Sequence, residues 1–274
     1  MNTEQLMGIA LDLAGLREVP GDSAIYQEGN GIRRVLIGID ARSAELTLAK
    51  MLGYDAVIAH HPIGGSATLN FHTVLGRHVD QMTTAGVPEE LARSILAEVA
   101  ESRRVLYSMS NYDHDPSVAR LLKMPYLNIH TPLDEVGRRR MAAVADEVGA
   151  EATVGDLIAA FYDTFAEFRH AATRIEALVG AADRRVGRIV VSHGAGTNGG
   201  YPVAKAYFDH GVDTLVYIHC RPDDARRLER EAGAAKTLVV TGHIASDSIG
   251  INPYVARLRD EGLDVTPLSG ILSP

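Results

Sequence analysis
The stretch that most restricts how this chain can fold is a short apolar run that stops on two imidazoles: Asp55 to Ala59, then His60, His61 and Pro62. Its β-branched and small residues suit a strand buried on both faces, and Pro62 forbids any extension of the ladder. Gly53 closes the helix before it, which Ser43 is placed to cap and which runs through Met51. Ahead of that helix lies a second apolar run, Arg34 to Ile39, with Asp40 at its end. Strand, helix and strand within the first sixty residues make a βαβ unit, so the two strands pair in parallel and the chain is α/β. The histidines and Asp40 then share the carboxyl rim of one sheet, where open α/β folds place functional groups. Neighbouring residues of an extended chain point to opposite sides, so His60 and His61 can each reach a different metal ion. The same pair also reads as a surface turn or a hydrogen-bonded couple, and Asp40 as a polar residue satisfying its turn.

Two further strand ends carry the same residue types. Tyr126 to Asp134 is a short strand ending in His130-Thr131-Pro132-Leu133-Asp134. Lys236 to Thr241 is a strand that turns at Gly242 into a helix reaching about Glu261, with His243 and Asp247 four residues apart at its start. That spacing puts imidazole and carboxylate on one helix face. A carboxylate such as Asp134 can bridge two cations, although taken alone it reads better as an N-cap for the helix that follows. Caps do not account for three strand ends that each terminate in His, Asp or both. His60, His61, Asp134, His243 and Asp247 are therefore the candidate metal ligands. Asp40, Thr131 and Ser246, each beside one of them, are candidate supporting groups that also read as turn and cap hydrogen-bonders.

The remaining segments set the domain organisation. Thr3 to Leu16 has helical spacing, with Asn2 or Thr3 as cap and Gly15 and Pro20-Gly21 as its end. Phe71 to Leu106 is mostly helical, with an apolar stripe at Leu91, Ile95, Leu96 and Val99. Asp115 reads as an N-cap with Pro116 opening the next helix, which leaves His114 without an assigned role. From about Glu151 a second alternating pattern begins: a capping box at Thr153 and Asp156, strands near 174–179, 188–192 and 214–219, and helices near 202–210 and 223–232. The expected division is a discontinuous metal-binding α/β domain of residues 1–150 plus 236–274 and an inserted α/β domain of residues 151–235. Within the insert, Gly194 to Gly199 spells G-x-G-x-x-G, but the next strand ends in His219-Cys220-Arg221 and lacks the acid a ribose needs. Tight-turn glycines explain it better than a nicotinamide site.

Composition removes several classes of function. With 46% hydrophobic residues in 274, the chain can bury one large core or two modest ones, and two suit its strand and helix pattern. A formal charge of −8 argues against a nucleic-acid partner held by bulk electrostatics. The single cysteine, Cys220, excludes an internal disulfide framework; it reads as a small buried hydrophobe in a protein of a reducing compartment. Glu4 and Asp12 interrupt the first apolar pattern, which is not a secretion signal, and no run reaches the length of a membrane span. A cytoplasmic location with no membrane partner is expected.

The motifs resemble those of the NIF-three-like family, also known as GTP cyclohydrolase I type 2 homologues, dinuclear metal centre proteins. The resemblance rests on the Gly38–Asp40 strand end, Ala59–Pro62, His130–Asp134 and Gly242–Asp247, and it spans nearly the whole chain. It implies that His60, His61, Asp134, His243 and Asp247 hold two metal ions. The family has Glu at the last of these positions, and Asp247 is one methylene shorter. It also implies a two-domain α/β/α layered protein, one domain built from both chain ends, assembled as a homohexamer.

Mixed imidazole and carboxylate ligands suit two divalent transition-metal ions per chain: zinc, iron, manganese or cobalt. Five ligands shared by two ions leave positions open for water, so the leading expectation is a metal-dependent hydrolase of a nucleotide or small phosphorylated substrate. Cyclohydrolase chemistry follows only from the family resemblance, and no general base is assigned. The competing expectation is a non-catalytic metal-binding regulatory protein, with the Leu91–Val99 stripe as an interaction face.

Overall fold
The computed structural model describes residues 1–232 and 236–274. Among them the strands are β1 (Ala24–Gln27), β2 (Arg34–Gly38), β3 (Ala56–Ala59), β4 (Tyr126–Asn128), β5 (Glu176–Val179), β6 (Ile189–Val191), β7 (Thr214–Tyr217), β8 (Thr237–Val240) and β9 (Asp264–Leu268). They form a five-stranded sheet of order β1-β4-β3-β2-β9 and a four-stranded sheet of order β5-β8-β7-β6. Each sheet belongs to one of two units. The first comprises Met1–Val74, Ala100–Val136 and Gly250–Ile271, the second Leu75–Val99, Gly137–Ile249 and Leu272–Pro274.

In the first unit β2, β3, β4 and β9 run parallel, with Val35 opposite Ala56 and Gly38 opposite Ala59, while β1 pairs antiparallel with β4. The parallel strands are apolar throughout their centres because both faces are covered. On one face Val35, Ile37, Ile58 and Leu127 pack with Leu6, Ile9 and Ala10 of the helix Thr3–Ala14 and with Ile251, Tyr254 and Leu258. On the other, Leu36, Val57 and Tyr126 pack with Leu46 and Ala49 of the helix Ser43–Leu52 and with Ala119. The first helix starts as its sequence requires: Asn2 and Gln5 form a reciprocal capping box, and Gly15 ends it at φ 63°.

Two caps differ from expectation. Arg42, not Ser43, is the N-cap of the second helix, and Glu45 accepts its backbone N–H at 2.8 Å. Asp115 does not cap its own helix, which begins at His114; it accepts hydrogen bonds from the backbone N–H and hydroxyl of Ser43. A buried carboxylate there neutralises the exposed N–H end of another helix, a pairing that sequence distance conceals. His114 itself is exposed.

In the second unit β6, β7 and β8 run parallel and β5 pairs antiparallel with β8. Val191, Val216 and Val239 pack with Met141, Val144, Leu157, Phe161, Phe165 and Phe168. The capping box at Thr153 and Asp156 is present and starts the helix Val154–Thr164. The strand that sequence grouping placed with the chain ends, β8, therefore lies inside the second sheet. A short apolar run does not specify its partner, and β8 finds its neighbours in β5 and β7. The expected boundary at 235/236 falls at the end of the segment 233–235, which lies outside the described residues. No described helix is long and apolar enough to cross a membrane.

Candidate metal centre
The topology of the first sheet gathers chemistry at one edge. Parallel strands β2, β3 and β4 all finish there and deliver Asp40, His60 with His61, and His130. Because β1 runs the opposite way, with Ala24 opposite Asn128, its leading residues Asp22 and Ser23 arrive at the same edge. The helix Thr131–Val148 starts from it and carries Asp134 in its first turn.

Each imidazole at this edge is held by its Nδ1. His60, fully buried, places Nδ1 3.0 Å from the carbonyl oxygen of Ile129. His61 Nδ1 lies 2.9 Å from Asp40 Oδ1, and His130 Nδ1 lies 2.7 Å from Asp22 Oδ2. Asp22 also accepts the Thr131 hydroxyl at 2.7 Å, and the Ser23 hydroxyl accepts the His130 backbone N–H at 3.0 Å. These oxygens accept, so each Nδ1 donates, and the neutral ring keeps its lone pair on Nε2. Support of this type fixes the tautomer and the ring direction of metal-binding histidines.

The Nε2 atoms of His60 and His130 face the Asp134 carboxylate. His60 Nε2 is 3.1 Å from Asp134 Oδ1, and His130 Nε2 is 3.6 Å from Asp134 Oδ2. One ligand atom from each of His60, His61 and His130 lies within 4.8 Å of the others. A lone pair set against a carboxylate inside a buried edge is repulsive unless a proton or a cation stands between them. Burial works to lower the pKa of His130, but the carboxylates of Asp134 and Asp22 outweigh it and leave the value raised. The donor set of imidazole nitrogens and carboxylate oxygens fits a divalent transition metal. His130 and Asp22 were not among the ligand and supporting residues drawn from the sequence. His130 was visible as the i−4 neighbour of Asp134, whereas nothing in the stretch around Asp22 signals its role.

The second sheet has its own carboxyl edge, where β6, β7 and β8 lead into His193, His219 and His243. The helix His243–Asp260 brings His243 Nε2 within 3.3 Å of Asp247 Oδ2; Asp247 is buried and the His243 side chain is 43% exposed. The rings of His219 and His243 are 4.8 Å apart. Ser246, expected as a supporting group, donates to the Gly242 carbonyl at 2.6 Å and pairs with the Thr241 hydroxyl at 2.7 Å, so it shapes the strand-to-helix turn. Burial, helped by the charge of Asp224, pushes the Cys220 thiol up to about 11, which fits a structural cysteine.

The glycine loop after β6 behaves as a tight turn. Gly194, Gly196 and Gly199 all have positive φ. Its carbonyls accept from the helix Arg77–Thr84: Arg77 Nε to Gly194 at 2.7 Å, His78 Nε2 to Thr197 at 2.8 Å and Gln81 Nε2 to His193 at 2.7 Å. Burial holds His78 neutral, its pKa pushed down to about 4. Asn198 Oδ1 accepts the backbone N–H groups of Ile218 and His219.

The structure thus brings His60, His61 and Asp134 together at the first edge, with Asp40 and Thr131 in support, and His243 and Asp247 together at the second. No family model and no curated protein matches the chain. Among solved structures, a NIF3 superfamily protein from Sphaerobacter thermophilus is 53% identical over 98% of both chains, with a TM-score of 0.94. A Bacillus cereus protein related to NIF3 shares the fold at 11% identity and TM-score 0.51, covering 100% of this chain and 97% of that one. So does reduced HcgD from Methanocaldococcus jannaschii, at 12% identity and TM-score 0.55 over 98% of each chain. Near-complete coverage at 53% identity decides the matter: the chain belongs to the NIF3 superfamily.

Proposed function
We propose that this protein holds two divalent transition-metal ions through His60, His61, Asp134, His243 and Asp247, and uses them as a hydrolase of a nucleotide or small phosphorylated substrate. The observation that carries the reading is the convergence of three imidazoles, each anchored through Nδ1, with a ligand atom of each within 4.8 Å of the others and Nε2 of His60 and His130 turned to Asp134. Bound metals supply Lewis acidity toward a phosphoryl or carbon centre. The protein's own part is to fix the ligands: Asp40 orients His61, Ile129 orients His60, and Asp22 with Thr131 orients His130 against Asp134. Burial of Asp134 and His60 excludes water from one side of the site and strengthens their electrostatics.

Cyclohydrolase-like attack on a purine ring belongs to the same reading and rests on the family resemblance. We place the protein in the cytoplasm as a homohexamer, for which Leu48, Met51 and Leu52, exposed on one helix, offer apolar contact surface. The test is product release from nucleoside phosphates by protein loaded with zinc, iron, manganese or cobalt. Metal-dependent turnover that disappears in His61→Ala supports the hydrolase. Metal retention with no turnover on any nucleotide replaces it with a non-catalytic metal-binding regulatory protein.

A further inference from the structure
A cleft of about 530 Å³ opens at the carboxyl edge of the second sheet, within the range of roughly 300–1,000 Å³ usual for small-molecule sites. Its walls include Thr173, Arg174, Glu176, His219 and His243. The location follows from topology. The parallel strands β7 and β8 end at this edge and contribute the two histidines; β5 is antiparallel, so the residues leading into it, Thr173 and Arg174, arrive at the same place. This repeats the geometry that brings Asp22 to the first edge, and the carboxyl ends of parallel strands are where α/β folds take their ligands.

The charges in the cleft are not consumed by the fold. Among the described residues the side chains of Arg174 and Glu176 have no ion pair and no hydrogen bond, although both line one cavity. Ile175 between them is buried and both flanking residues are exposed, so they face the same side, about 7 Å apart at ordinary strand rise. A guanidinium matches a phosphate through paired N–H donors. A carboxylate at that distance accepts from the hydroxyls of a vicinal diol, as an acid does toward a ribose. Gly242 closes the wall beside His243 at φ 98°, where a Cβ would stand 2.7 Å from the Thr173 hydroxyl. The absence of a side chain lets that hydroxyl line the cleft next to the proposed metal ligand.

We infer that this cleft binds a phosphorylated polyol, with Arg174 and Thr173 on the phosphate and Glu176 on the diol. The inference rests on the phosphorylated-substrate reading for its place in the reaction, and names the class of molecule that reading requires. Ribose 5-phosphate and adenosine 5′-monophosphate share the chemistry, one as a sugar phosphate and the other as a nucleotide.

Calorimetric titration of the full-length protein with both compounds, with adenosine and with 2′,3′-dideoxyadenosine 5′-monophosphate tests it, alongside elemental analysis of every variant. Adenosine is expected to bind at least about tenfold more weakly than its monophosphate, and Arg174→Gln to abolish that difference. Glu176→Gln is expected to weaken the monophosphate severalfold and to leave the dideoxy compound unaffected. Tighter binding of adenosine 5′-monophosphate than of ribose 5-phosphate makes the ligand a nucleotide; equal binding makes it a sugar phosphate. Metal retention together with phosphate-independent binding, or binding unchanged by Arg174→Gln, overturns the cleft assignment and leaves the metal centre standing. Arg174-dependent binding to protein that retains no metal supports the cleft and removes the hydrolase. Both substituted side chains are exposed, so the variants fold as the parent does.

Discussion
The two sheets present the same kind of edge in opposite conditions. At the first, His60 and Asp22 are fully buried, with His60 Nδ1 committed to Ile129 and the Asp22 carboxylate to His130 and Thr131. At the second, His243 is 43% exposed and Arg174 and Glu176 line an open cleft. Both edges have the same topology, parallel strands plus one antiparallel strand at the margin, so the difference lies in side chains. A buried edge fixes ligand geometry and strengthens electrostatics, while an open one leaves charges available to a molecule from solution.

The largest expected effect that would break this contrast is at His60. His60→Ala removes a buried proposed ligand and the nearer of the two imidazoles that face Asp134, so metal affinity should fall by more than about 100-fold, read by competition with a chelator of known affinity. A smaller loss would mean that the first edge is only a hydrogen-bond network.

The next effect is on the second unit, through His78. Its folded pKa, about 4, lies below its ordinary 6.5, so its contribution to stability is complete above pH 6.5 and is lost as pH falls toward 4, where the unfolded chain takes up a proton the folded one refuses. The loss is on the order of 3 kcal/mol. Denaturant unfolding at pH 7 and pH 4.5 measures it, and His78→Gln, which keeps a donor for the Thr197 carbonyl, should flatten the dependence.

Asp22→Asn comes third. It keeps the shape but weakens the hold on the His130 ring, and should cost about 10–100-fold in metal affinity while the cobalt-loaded protein shows an altered visible spectrum. Equal affinity in the variant would separate Asp22 from the metal centre. The smallest effect belongs to a cap remote from both edges. Asn2→Ala opens the capping box of the first helix and should lower stability by about 1 kcal/mol with metal content unchanged.

What could be read in the sequence was local. The run ending on His60 and His61, the Asp40 beside it, the spacing of His243 and Asp247, a cap at Asn2 or Thr3 and the capping box at Thr153 are all signalled within a few residues. The βαβ unit followed from strand length and a glycine stop. What escaped depended on distant pairing. Asp22 meets His130 across 108 residues because β1 runs antiparallel to β4, and Ala24–Gln27 carries no strong strand pattern. β9 adds to β2 from the far end of the chain. Asp115 looked like the cap of its own helix because the group it serves, Ser43, lies 72 residues away. Ser246 stood beside a ligand in sequence, but its hydroxyl turns back to Gly242.

The central claim is that the chain holds a pair of metal ions. Elemental analysis of the purified protein after exhaustive dialysis addresses it directly. The account predicts about two transition-metal ions per chain in the parent and fewer than about one in His60→Ala; a parent protein that retains none would contradict it.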